Sequence, residues 1–448
     1  MPAFFNLFSR GLVEEDVLFL AIGRREWDRE RYLDEIRPWV EEFARYEVSD
    51  ESFAAFAEHI DYFQMEFTIV EDFQRLFKYY NSIPWTSSEA DTKYIFYLAV
   101  SPNFFTEIST NLAETGCLMG TNRVIVEKPF GEHYDDAKKL NQDLQDRFGE
   151  DEIYHIDHYL GKPMVQNLIS IRKYNPFFSA AWNKDYIQSV QINAIESVDI
   201  GDRGAFYDAT GALKDMVQSH LFQVMSVVAM ELDADSSSSE FVDAQAELLQ
   251  SLRPPADDIK TQLAVGQYEG YLSEDKVNPD SRTETFAATK LYIDNERWEG
   301  VPFYLRTGKA LNEKRAYVSI VFKKVSESVA NTVLQIEIQP QEGVAVQLIM
   351  NEAGEDNGLK TVTMEYFEDQ DDEAYQNTPE AYERLLYASY LGRKDFFTPW
   401  VQIENSWSWI HDLREKRDEA EMAPEIYTPG STGIESQDNI LEDGDKWY

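Results

Sequence analysis

Two strand-length runs of unbroken apolar residues constrain this chain most: Val17-Leu18-Phe19-Leu20-Ala21-Ile22-Gly23 and Tyr94-Ile95-Phe96-Tyr97-Leu98-Ala99-Val100. Successive side chains of a strand point to opposite faces, so a strand with one wet face alternates polar and apolar residues. Unbroken apolarity implies burial on both faces, as in a parallel sheet covered by helices. Arg123-Val124-Ile125-Val126-Glu127 reads as a third strand, stopped by Pro129. Between the strands lie helical stretches. Asp28 caps one that runs to about Tyr46, interrupted near Pro38. Others run from about Glu51 to His59, Glu71 to Tyr80, Phe105 to Glu114 and Asp135 to Phe148. This alternation predicts a doubly wound α/β domain.

After about Asp157 the pattern changes. A helix from Lys162 to Arg172 leads into segments that alternate apolar and polar residues: Ile187 to Ala194, Thr283 to Tyr292, Val301 to Arg306, Ala316 to Phe322 and Thr332 to Ile338. Alternation predicts an antiparallel sheet with one wet face. Helices are expected at about Leu213 to Met230 and Ala381 to Tyr390. A chain of 448 residues suits two domains. We place them at 1–157, α/β, and 158–448, α+β. The stretch from about 428 is rich in Gly, Ser, Asp and Glu without periodicity, and a mobile acidic tail is expected there.

The net charge of −41 comes from 82 acidic residues against 41 basic ones. Such a field repels nucleic acid and anionic membranes. No run of 18 apolar residues predicts a membrane span, and the first residues lack the basic region of a signal peptide. Cys117 is the only cysteine, so no intrachain disulfide forms. These features fit a reducing cytoplasm. In so acidic a chain, any anionic ligand depends on local clusters of cations.

Five segments carry candidate chemistry. Ile156-Asp157-His158-Tyr159-Leu160-Gly161-Lys162 packs anion-binding and imidazole-orienting groups into a few positions at the domain junction; the bland alternative is a polar helix start capped by Asp157. Asp215 and His220 lie five residues apart on an otherwise apolar helix, where a lone histidine is more often a core residue. A buried imidazole needs a partner for its ring N–H, and Asp157 is a candidate; such a dyad suits a general base. Lys128, in Glu127-Lys128-Pro129-Phe130-Gly131, follows a buried strand, and ligands bind at the carboxyl ends of strands in open α/β sheets. Arg24-Arg25 ends the Val17–Gly23 strand, where arginine accommodates the 2′-phosphate of NADP. Arg306-Thr307-Gly308-Lys309-Ala310-Leu311-Asn312-Glu313-Lys314 concentrates cations after a strand, as a phosphate or sugar site or as a solvated edge loop.

Together these segments resemble the glucose-6-phosphate dehydrogenase family, bacterial type, in the family's order. Glu127–Gly131 is followed by Ile156–Lys162, Arg203-Gly204-Ala205-Phe206-Tyr207-Asp208 and Asp215–His220. Glu296-Arg297-Trp298-Glu299-Gly300-Val301-Pro302-Phe303, Arg306–Glu313 and Glu380-Ala381-Tyr382-Glu383-Arg384-Leu385 complete the set. The resemblance implies an N-terminal Rossmann-like domain and a C-terminal domain with a large antiparallel sheet used in dimerisation. It implies oxidation of D-glucose 6-phosphate to 6-phosphoglucono-1,5-lactone with hydride transfer to NADP, the first oxidative step of the pentose phosphate pathway. His220 is then the general base and Asp157 its orienter. His158, Tyr159 and Lys162 hold the 6-phosphate; Lys128, Glu196, Asp215, Lys309 and Gln339 reach the sugar. Arg24 holds the 2′-phosphate, and Ala99 and Lys128 lie against the dinucleotide. A homodimer or dimer of dimers is implied, and no metal, because one base and a hydride acceptor suffice.

Three departures from the family pattern carry expectations. No G-x-G-x-x-G occurs in the sequence, and Met1–Phe8 resembles the helix that follows that turn. About 20–30 residues, the length of a strand and its phosphate loop, are expected to be absent. The Rossmann-like domain is then incomplete, the edge of Val17–Ile22 exposed, NADP binding weak and the chain unstable. His155 stands where an arginine is common, and Glu337 replaces a cation of a second, structural NADP site, which is not expected here. Two alternative readings stay open: a dehydrogenase of an unphosphorylated sugar, and an inactive homologue that only dimerises. An unphosphorylated sugar leaves His158, Tyr159 and Lys162 nothing to hold.

Overall fold

The parallel strands of the first part appear where continuous apolarity placed them. In the computed structural model, which describes residues 1–14, 16–83, 92–131, 133–232, 238–326, 328–353, 358–369, 371–372, 375 and 377–448, the chain divides into two compact units. The first comprises 1–131, 135–161 and 372–398; the second comprises 132–134, 162–371 and 399–448. The division therefore falls four residues after the expected 157/158 boundary, and the segment 372–398 joins the first unit.

The first unit holds β1 (Phe19–Gly23), β2 (Ile60–Gln64), β3 (Lys93–Leu98), β4 (Thr121–Val126) and β5 (Ile153–His155). They form two parallel ladders, β1–β2 and β3–β4–β5. β1 is half-buried rather than closed on both faces, and Ile22 is 38% exposed. Its described ladder has β2 on one edge only. β2 was not anticipated: it follows helix Asp50–Ala57 almost directly, and Ile60-Asp61-Tyr62-Phe63-Gln64 has no long apolar run.

The helix after β1 spans Arg29–Phe43, and the Asp28 carboxylate caps it by accepting from the Arg31 N–H at 2.8 Å. Pro38 does not interrupt it. The proline removes one rung, but Ile36 and Val40 on either side are buried and hold the helix down. The first unit's core includes Phe5, Val40, Phe56 and Ile60. A second cluster gathers Leu7, Ile125, Tyr154 and Ile156 with Leu385, Leu386 and Phe397. Burial of these apolar side chains fastens the late helix Ala381–Leu391 to strands formed much earlier in the chain.

The second unit is built on β6 (Ile187–Ile195), β7 (Leu263–Tyr268), β8 (Phe286–Leu291), β9 (Phe303–Gly308), β10 (Arg315–Phe322), β11 (Val333–Gln339), β12 (Gly343–Asn351), β13 (Leu359–Phe367) and β14 (Glu425–Tyr427). They form one nine-stranded sheet in the order β13-β12-β11-β10-β6-β9-β8-β7-β14. Pairing is antiparallel except at β6–β9 and β7–β14. The large, mainly antiparallel sheet is as expected, but β6 to β10 are buried on both faces rather than wet on one; the parallel β6–β9 pair sets Ile195 beside Gly308, which matters for the site.

The acidic tail corrects the sequence reading. Residues 428–448 are docked on the sheet, with Ile434 and Ile440 buried in its core. Asp445 accepts hydrogen bonds from the Tyr304 hydroxyl at 2.7 Å and the Gln188 amide at 2.6 Å. Arg306 lies over the Trp447 ring at 4.6 Å. Composition suggested mobility, but a few apolar anchors and buried acceptors outweigh it.

Candidate active site

Within the first unit, the candidates occupy the carboxyl ends of parallel strands. Arg24 follows β1, Ala99 follows β3 and Lys128 follows β4. Arg24 and Ala99 are exposed, and Lys128 is half-buried. The Lys128–Pro129 peptide is cis. Beside Lys128, the Tyr97 hydroxyl donates to the Glu127 carboxylate. Burial, then that hydrogen bond, pushes the Tyr97 phenol well above its ordinary value.

Asp157 is 3% exposed, one residue beyond the Ile156–Phe397 bridge. One of its carboxylate oxygens accepts the Tyr159 N–H at 2.9 Å, and its carbonyl accepts the Leu160 N–H at 3.1 Å. That turn places His158 and Tyr159 with ring centroids 5.0 Å apart. Tyr382, on helix Ala381–Leu391, has its phenol raised by burial and then by the charges of Glu127 and Asp157. Sequence reading quoted Tyr382 within a motif and gave it no role; its nearness to Asp157 depends on the docking of the late helix.

His155 is buried, with its ring edge-on to Phe130 at 4.8 Å. Burial and then the Lys394 ammonium hold its pKa down to about 3, so it is neutral. Lys394 itself is lowered to about 8 by burial, and its ammonium donates to the Ile153 carbonyl. The position that commonly carries an arginine is thus a packed, uncharged ring.

The second unit assembles the sugar candidates. Gly211 has φ +65°, so the chain turns sharply between helix Gly204–Ala212 and the π-helical segment Leu213–Leu221. A Cβ at Gly211 would stand 2.5 Å from Glu284 Oε1. Glu284 is 3% exposed; it accepts the Leu213 N–H at 3.1 Å and an ion pair from Arg417 at 2.7 Å. The π segment carries Asp215 and His220, and His220 is 5% exposed.

Lys309 and Glu196 pair over the Tyr207 ring, and the charge of Asp215 acts on its phenol. The Lys309 ammonium lies over the Tyr207 ring at 5.3 Å and pairs with the Glu196 carboxylate. Tyr207 is fully buried; burial first, and Asp215 next, with Glu196 contributing, push its phenol far above the ordinary value. Backbone pairing explains the meeting: the Glu196 N–H donates to the Gly308 carbonyl at 2.9 Å, and the Leu311 N–H donates to the Glu196 carbonyl at 2.9 Å. Those bonds extend the parallel β6–β9 pair past its end.

Lys162 immediately precedes helix Pro163–Tyr174, and its ammonium donates to the Gln339 side-chain oxygen at the end of β11. Glu337, two residues earlier, is 6% exposed and paired with Arg315 through Nε at 2.9 Å. It serves there as the buried partner of a structural cation.

Family profiles cover the chain almost without a break. The profile for "Glucose-6-phosphate dehydrogenase, NAD binding domain" matches residues 1–167, and that for "Glucose-6-phosphate dehydrogenase, C-terminal domain" matches residues 169–448. The glucose-6-phosphate 1-dehydrogenase of Bacillus subtilis is 35% identical over 469 residues, covering 100% of this chain and 94% of that protein. The cytoplasmic glucose-6-phosphate 1-dehydrogenase 6 of Arabidopsis thaliana is 36% identical, covering 98% and 87%. A solved glucose-6-phosphate dehydrogenase in complex with its substrate glucose-6-phosphate superposes with a TM-score of 0.90 at 31% identity, covering 100% and 94%. The corresponding enzyme from Mycobacterium avium gives 0.86 at 29%, with the same coverage.

Proposed function

The chain belongs to the glucose-6-phosphate dehydrogenase family, and from that membership together with the geometry inside each unit we propose how its residues divide the reaction. The protein is a glucose-6-phosphate dehydrogenase: it oxidises D-glucose 6-phosphate at C1 to the 1,5-lactone. The hydride acceptor is a nicotinamide dinucleotide. NADP is the form we propose, because the exposed Arg24 guanidinium at the end of β1 suits a 2′-phosphate rather than a free 2′-hydroxyl.

The C1 hydroxyl must lose its proton as the C–O bond becomes a carbonyl and the C1 hydrogen leaves with its electron pair. His220 takes that proton, and Asp157 is the carboxylate assigned to hold the imidazole in the accepting tautomer. When bound, the dinucleotide supplies the hydride-accepting ring. Lys128 reaches the sugar and the dinucleotide. Glu196, Asp215 and Lys309 bind sugar hydroxyls, and Lys162 with His158 and Tyr159 binds the 6-phosphate. Gln339 fixes the Lys162 ammonium. Charge far from C1 lets phosphate binding orient the reacting carbon.

The observation that carries this reading is the Lys309–Glu196 pair seated over the buried Tyr207 ring, brought together by the parallel pairing of β6 and β9. Steady-state kinetics of His220→Asn test it, with an expected fall in kcat of about 10²–10⁴ and a KM for glucose 6-phosphate close to wild type. A variant that keeps a tenth or more of kcat overturns the assignment. Comparing glucose with glucose 6-phosphate in the wild type excludes or restores the unphosphorylated-sugar reading.

Two further points belong to the same proposal. On one face, the outer strands β12 and β13 expose Met350, Met364 and Tyr366, a surface suited to a second copy, so the protein is a homodimer. Among the described residues no helix is long and apolar enough to cross a membrane. With one cysteine, itself buried, we place the protein in the cytoplasm.

A further inference from the structure

The two consecutive arginines after β1 do not share one environment. The Arg25 guanidinium lies over the Trp27 ring, 4.6 Å from its centroid. Trp27 in turn sits 6.1 Å from Tyr62, which stacks on Tyr32 at 5.2 Å with 22° between the planes. The turn is pinned: the Tyr62 hydroxyl donates to the Arg25 carbonyl at 2.8 Å, and the Trp27 N–H donates to the same oxygen at 2.8 Å. A Cβ at Gly23 would come within 2.9 Å of that hydroxyl, so the strand end accepts no larger residue without displacing the pin. Arg24 and Arg25 are both exposed, while Trp27 is half-buried.

A guanidinium flat on an indole offers its second face to another planar group, and purines stack on such faces without regard to their hydrogen-bonding edges. A phosphate, by contrast, needs guanidinium N–H groups directed at its oxygens. We propose that Arg25, positioned over Trp27, is the platform for the adenine ring of the dinucleotide, while Arg24 alone reads the 2′-phosphate. The inference rests on the NADP reading above and divides its recognition in two. Arg25 touches the base; Trp27 acts through Arg25 and is a positioning residue.

The adenosine end can be tested without turnover. Calorimetric titration of the full chain with 2′,5′-ADP and with 5′-AMP, which differ only in the 2′-phosphate, measures base recognition and 2′-phosphate recognition separately. Arg25→Ala and Trp27→Leu should each weaken both ligands by about tenfold and leave their ratio unchanged. Trp27→Phe should recover most of the loss, and Arg24→Gln should collapse the ratio toward one. Thermal melting of each variant separates misfolding from lost binding. Unchanged affinity in both Arg25→Ala and Trp27→Leu overturns the platform, as does a ratio that changes with Arg25 instead of Arg24. If the wild type shows no preference for 2′,5′-ADP, the NADP reading itself fails, and the division of labour with it.

Discussion

The Lys162 ammonium donates a hydrogen bond to the Gln339 side-chain oxygen, joining two residues 177 positions apart in the chain. Lys162 stands at the start of helix Pro163–Tyr174 and Gln339 ends β11, so each is placed by a regular element. A lysine oriented by a neutral amide oxygen suits a site for an anion such as a 6-phosphate.

Lys162→Ala should therefore lower kcat/KM for glucose 6-phosphate about 10- to 100-fold, the worth of a hydrogen bond to a charged group. Most of that loss should fall on KM. Turnover of unphosphorylated glucose should hardly change, and an equal loss for both sugars would show that Lys162 does not read the phosphate.

Gly211 sets the direction of the π segment that carries Asp215 and His220. Its φ of +65° and the 2.5 Å approach to Glu284 leave no room for a methyl group. Gly211→Ala should cost about 1–3 kcal/mol in denaturant unfolding. It should also lower kcat, because the base moves with the segment. A variant with wild-type stability and turnover would mean that the turn relaxes freely.

His155 gives the first unit an acid limit. Its native pKa is held down to about 3, against 6.5 when unfolded, chiefly by burial. Between those values the unfolded chain binds a proton that the native state refuses. Stability is therefore complete above pH 6.5 and falls as pH drops, by about 1.4 kcal/mol per pH unit for this group. Chemical denaturation at several pH values should give a shallower acid slope for His155→Gln than for the wild type. Equal slopes would remove His155 from the account.

Glu383 and Arg45 form a buried ion pair at 2.5 Å, with side chains 1% and 9% exposed. The Asn6 amide donates to the same carboxylate at 2.9 Å, and its oxygen accepts the Arg45 N–H at 3.0 Å. Removing one charge strands the other, so Glu383→Ala should cost about 3–5 kcal/mol. The double change Arg45→Met with Glu383→Leu should cost much less. If single and double changes destabilise alike, packing rather than charge governs the site.

Local chemistry was legible along the chain. The apolar runs marked β1 and β3, Asp28 capped its helix, and the alternating segments marked β6 and β8 to β11. Failures came where distant parts decide. Ile60–Gln64 is a strand because it lies beside β1, although its own residues carry no strong signal. Gly-, Ser- and Asp-rich residues after 428 are docked because Ile434 and Ile440 find a core and Asp445 finds Tyr304.

For the site, the sequence by itself determined which residue types are on offer as candidates: the imidazole of His220, the carboxylates of Asp157 and Asp215, and the cations Arg24, Lys128, Lys162 and Lys309. Their ordered spacing was enough to place the chain in its family. Only the tertiary structure decided what surrounds them. The Glu196–Lys309 pair over the Tyr207 ring, the charge of Asp157 acting on Tyr382, and Trp27 beneath Arg25 depend on which elements pack together. The reason is physical. A residue's chemical type is written at its own position, whereas its charge partners, its burial and the direction it faces are set by atoms that other parts of the chain bring to it.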